Sequence, residues 1–148
     1  MQNISFNDGY KEFSINNDET RVIRINPSDF SLIERFNTAL ENIEKELSTL
    51  GEDVKLDANG EPVEQLREAA AQVTKSRLYI NEQIDFIFNS PVSHAAFGNQ
   101  SPLSSPGGIP LVERFLNAIG PVINETIESD VKARESRIKK YTSQVKRK

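Results

Sequence analysis

Residues 62–89 read PVEQLREAAAQVTKSRLYINEQIDFIFN, and Val63, Leu66, Ala70, Val73, Ile80, Ile84 and Ile87 fall alternately three and four apart, with Arg77 the one interruption. Side chains at that spacing share one face of an α-helix, and over three heptads they form a narrow seam that packs along a second helix. That second helix is written just upstream. Ile33, Phe36, Leu40, Ile43, Leu47 and Leu50 follow the same rule. Ser28 or Asp29 is placed to cap it, Ser31 and Glu34 offer a capping box, and Gly51 supplies a stop near Leu50. Between the two seams Asp57-Ala58-Asn59-Gly60 is a turn signal. An antiparallel helical hairpin over residues 28–89 is the expected product. A homodimeric coiled coil is the competing outcome of the same pattern; the short connection and one-domain length favour pairing within the chain.

Working outward, residues 1–27 read as a β element. Tyr10, Phe13 and Ile15 face Val22, Ile23 and Ile25 across Asn16-Asn17-Asp18-Glu19, which is turn chemistry, and Pro27 ends the pattern. A two-stranded hairpin is marginal alone, so it must lie on the helices. Downstream, residues 90–109 form a Pro/Gly/Ser loop. Pro110 then suits the first turn of a closing helix over 110–130, with Val112, Phe115, Ile119, Val122, Ile123 and Ile127 as its stripe. Gly120-Pro121 predicts a kink or a restart there, because proline lacks the ladder donor and its ring crowds the preceding turn. Beyond Val131 the stripe thins to Ile138 and Tyr141, in a helical or frayed tail over 131–148. The fold class expected is mainly α (α+β): an N-terminal β-hairpin packed on an antiparallel helical hairpin plus a C-terminal kinked helix, with 1–130 as one globular domain.

The chain has 148 residues, 36% hydrophobic and 27% charged, with no cysteine and no tryptophan. That length supports one core without staples, and the missing cysteines exclude disulfides and thiolate metal sites. No run approaches the roughly 20 apolar residues that cross a bilayer, and no basic start with an apolar core opens the chain, so a cytoplasmic protein without membrane partners is expected. The formal net charge of −4 is unevenly spread. From Val131 to Lys148 eight basic residues stand against Glu135 alone, a net +7, which leaves −11 for the rest. Such an end is a solvated helix terminus, a docking site for an acidic protein, or, as the least favoured reading, a phosphate binder. Only Tyr141 interleaves with its cations, and single-strand binders use several aromatics. Lys132, Arg137, Lys139, Lys140, Arg147 and Lys148 are the residues that would carry partner contacts there.

Catalytic and cofactor signals are absent from the sequence. His94 is the single histidine and reads as a loop residue; with no cysteine, neither a metal cluster nor a thiol nucleophile can be assembled around it. Gly107-Gly108 lacks the Lys-Ser/Thr of a phosphate loop. Asp57 to Gly60 echoes a calcium loop faintly, yet Lys55 and Leu66 occupy the first and twelfth ligand positions. Asp53, Glu61, Glu64 and Glu68 are acids of a loop and a helix face with no partner group for chemistry. No enzyme, no metal and no cofactor is the expectation.

What remains is an apolar surface grammar. Phe86, Phe88 and Phe97 precede the loop, Leu103 lies in it, and Leu111 and Phe115 follow at helical spacing. These six are the candidate apolar contacts for a partner, against the ordinary alternative that each is core. The progression Phe97-Gly98, Pro102-Leu103-Ser104, Gly108-Ile109-Pro110, then the apolar helix from Leu111 to Ile123, resembles the C-terminal half of the tail assembly chaperones of long-tailed bacteriophages. The resemblance extends in organisation to the N-terminal β element and both long helices. It implies a non-catalytic assembly factor in the host cytoplasm that coats the tape measure protein, recruits tail tube subunits and is missing from the mature virion. It also implies a short form and a longer frameshifted form, with this chain as the short one. Homo-oligomerisation stays open, and a retained virion component or helical scaffold, or a nucleic-acid binder using the basic tail, are the rival readings.

Overall fold

The hairpin forms around two asparagines. In the computed structural model, which describes residues 1–53 and 59–146, β1 (Lys11–Ile15) and β2 (Asp18–Ile25) pair antiparallel with Phe13 opposite Ile23 and Lys11 opposite Ile25. Asn16 and Asn17 both take positive φ, 51° and 61°, which a two-residue type I′ connection requires and which asparagine tolerates. Asp18 and Glu19, read from the sequence as turn residues, already belong to β2. The register shifts between Ser14 and Ile15, so β2 carries extra residues opposite that step. There Asp18 accepts hydrogen bonds from the Thr20 amide (3.0 Å) and hydroxyl (2.6 Å). These bonds, the hydroxyl's first, hold the exposed Asp18 carboxyl below its ordinary pKa.

The helices are α1 (Ser31–Asp53), α2 (Pro62–Phe88), α3 (Val92–Phe97) and α4 (Leu111–Lys146). Asp29 starts α1: its carboxylate accepts the Ser31 amide at 3.1 Å. Gly51 does not stop that helix, which continues to Asp53; a glycine weakens a helix interior by about 1 kcal/mol but does not end it unless the chain turns left-handed. The expected turn at Asp57-Ala58-Asn59-Gly60 lies partly outside the described residues. α2 opens on Pro62 and closes on Asn89, which is left-handed (φ 51°, ψ 39°). The Asn89 amide bonds Phe86 O and the Ser90 amide bonds Asp85 O, so the last carbonyls are satisfied as in a Schellman motif.

α1 and α2 run antiparallel, as three polar contacts at one side of their seam show. Arg35 Nε donates to Ile87 O (2.9 Å), Asn42 to Gln83 (3.0 Å), and Ser76 Oγ to Glu46 Oε1 (2.7 Å). Ile80, Ile84 and Ile87 are fully buried against Leu32, Ala39 and Ile43. The seam is shorter than its sequence pattern. Ile33 is 53% exposed and Leu32 takes its place in the core, while Val63 and Leu66 are 66% and 59% exposed at the far end of α2. A heptad pattern marks a face, and burial follows only where a third element covers it.

That third element is α4. Val112, Leu116, Ile119, Ile123 and Ile127 are buried. Leu116 shares a cleft with Leu40, Ile43 and Leu47, Gly120 lies under Phe36, Ile127 lies beside Ile33, and the Arg134 guanidinium covers the Phe30 ring at 4.8 Å. α4 is thus antiparallel to α1. It passes Pro121 as one helix of 36 residues, about 54 Å at 1.5 Å per residue. From Lys132 to Gln144 its side chains are exposed. The basic end is therefore helical as far as Lys146, and its last turns stand clear of the body.

Candidate functional site

Residues 90–109 hold more order than a connecting loop. α3 begins after Ser90 where Asp85, in the last turn of α2, accepts the Ser93 amide at 2.7 Å. A 3-10 turn at Pro106–Gly108 follows, with Gly107 and Gly108 at φ 66° and 84°. Arg114 clamps it from α4, donating to Pro106 O at 2.6 Å and Ile109 O at 3.4 Å. On the other side Arg21 of β2 donates through Nε to Ala95 O (2.7 Å) and through its terminal nitrogen to Ala96 O (2.6 Å). The hairpin is thereby bolted to the last carbonyls of α3, where cations are favoured.

Between these two clamps lies a groove of about 400 Å³. Phe13, Ile15 and Ile23 of the hairpin form one wall, Ala96 and Phe97 the floor, and Leu111, Phe115, Ile119 and Val122 of α4 the other wall. Phe97 and Phe115 meet edge to face, with centroids 5.7 Å apart at 70°. Arg21 and Arg114 supply the charge at its lining, and among the described residues no carboxylate lines it. Beside it, among the described residues, β1 pairs only with β2, which leaves its other edge without a strand partner.

Of the six apolar candidates, the fold brings together Phe97, Leu111 and Phe115. Phe97 is 5% exposed and belongs chiefly to the core; Leu111 and Phe115 are half-buried and accessible from the groove. The other three do not join them. Phe86 is 42% exposed on the outer face of α2, Phe88 lines a separate cleft with Tyr10 and Arg24, and Leu103 packs half-buried against the core. The hairpin wall was missed by sequence reasoning. Its signal, the alternation of Phe13 and Ile15, identified a strand but not the helix that strand faces.

Of the basic candidates, Lys132, Arg137, Lys139 and Lys140 lie exposed on the free end of α4, and Arg147 and Lys148 lie outside the described residues. His94 is exposed on α3 and lines a polar cleft of about 370 Å³ with Arg77, Asn81 and Gln100. Among the described residues, no group of three or more His, Cys, Asp or Glu is placed to hold a metal ion, and no helix is long and apolar enough to cross a membrane.

No protein-family model, curated protein or solved structure matches this chain.

Proposed function

We propose that the protein is a non-catalytic phage tail assembly chaperone, one that keeps the tape measure protein soluble in the host cytoplasm and helps bring tail tube subunits to it. One observation carries the reading: an apolar groove, lined by two arginines and, among the described residues, by no carboxylate, sits between a hairpin wall and α4 at the Phe97-to-Phe115 segment that bears the family resemblance. An aggregation-prone helix needs a partner that covers its apolar stripe while presenting a polar outside, which is the helix-in-groove mode. Leu111 and Phe115 offer the accessible apolar contacts, and the two guanidinium groups, already tied to backbone carbonyls, pre-order the rim for an acidic flank.

Co-expression with the cognate tape measure protein tests it. The soluble yield of the client should rise with the wild-type chain and fall back with Phe115→Ser, whose own helical signal should persist. An unchanged client yield with both proteins folded refutes the chaperone role, and so does stoichiometric recovery of the chain in mature particles.

A further inference from the structure

The two ends of the molecule carry opposite halves of one contact. At the α4 end, Val131, Arg134, Ile138 and Tyr141 continue the three-and-four spacing, but Ile138 and Tyr141 are 62% and 69% exposed. Over residues 131–146 six cations stand against one acid. At the start of α2 the uncovered row is Val63, Leu66 and Ala70, and there Glu61, Glu64 and Glu68 stand against Arg67 alone.

The two patches are opposite in net charge and each carries an exposed apolar row, so arm against acidic row is complementary. Arm against arm would set like charges together.

One chain cannot make this contact with itself. α1 begins beside Arg134 of α4 and runs the other way, about 33 Å over its 23 residues, towards the end where α2 starts. Arm and acidic row therefore point from opposite ends of the body.

We infer that the basic end of α4 docks on the acidic start of α2 in a second copy of the chain. The two patches are different surfaces of the chain, so the contact closes as a reciprocal pair or a larger ring, or propagates as an open chain. It spans about two heptads, which places it among weak, concentration-dependent interfaces. It does not depend on what the groove binds.

Sedimentation velocity of the full chain over a concentration series is the test. Mass should rise above that of the monomer with concentration at about 50 mM salt, and association should weaken at least about tenfold by about 500 mM, where exposed charges are screened within a few ångströms. Lys132→Glu with Lys139→Glu should abolish assembly, as should Glu64→Lys with Glu68→Lys, each with unchanged helical signal. The four substitutions together in one chain should restore it. Ile138→Ser with Tyr141→Ser should abolish it at any salt. A monomer at every concentration overturns the inference, as does assembly that survives reversal of the glutamates, which would mean arm pairs with arm. A persistent monomer whose arm binds duplex DNA would assign the lysines to phosphate instead.

Discussion

Arg21→Ala should loosen the hairpin without unfolding the helices, and the size of the effect follows from what the residue holds. Its two donors reach Ala95 O and Ala96 O at 2.7 and 2.6 Å in a part-buried setting. A hydrogen bond from a charged group is worth about 1.5–3 kcal/mol net, and partial exposure argues for the lower end, so the pair contributes about 2–3 kcal/mol. The remaining hold on the hairpin is burial of Ile23 and Ile25, at 2% and 1% exposure, worth roughly 1.5–3 kcal/mol each. The hairpin therefore stays docked, but less firmly. Arg21→Lys keeps the charge and loses the fork, so about half of the loss should return. Urea unfolding should show a lower midpoint with little change in slope, and amide exchange should quicken selectively across β1 and β2. A change below about 0.5 kcal/mol, the usual range for unremarkable surface substitutions, with hairpin amides unaffected, would refute the claim that this clamp fixes the groove wall.

Other expectations follow from single contacts. Ile84→Ala, at a fully buried position, should cost about 2–5 kcal/mol in thermal or urea unfolding, whereas Ile138→Ala, on the exposed arm, should change monomer stability by less than about 0.5 kcal/mol. Asn89→Ala should lower stability by about 1 kcal/mol because the position is left-handed, and Asn89→Gly should not. Asp18 has a lowered pKa, so its contribution is present above the unfolded value near 3.9 and is lost as pH falls through the lower folded value. NMR titration should show its carboxyl titrating below the ordinary aspartate value, and Thr20→Ala should raise it towards that value.

Local rules determined a good part of this protein. Spacing at Phe36 to Leu47 and at Ile80 to Ile87 placed two antiparallel helices, Asn16-Asn17 placed the hairpin turn, and Pro62 the start of α2, because each depends on backbone sterics or on one periodic face. The absence of cysteine likewise excluded disulfides and thiolate ligands. Tertiary structure decided which parts of those faces are covered. Leu32 displaced Ile33 from the core, Val63 and Leu66 were left in solvent, and α4 continued through Pro121 to Lys146. The groove belongs wholly to that second class. Phe97 and Phe115 were legible as apolar residues, but Phe13, Ile15 and Ile23 reach them because Ile23 and Ile25 are buried on the helices and Arg21 crosses from β2 to carbonyls 74 and 75 residues away. Periodicity is a property of neighbours along the chain; a site made from a strand, a six-residue helix and a long helix is set by contacts between elements, and no local spacing records them.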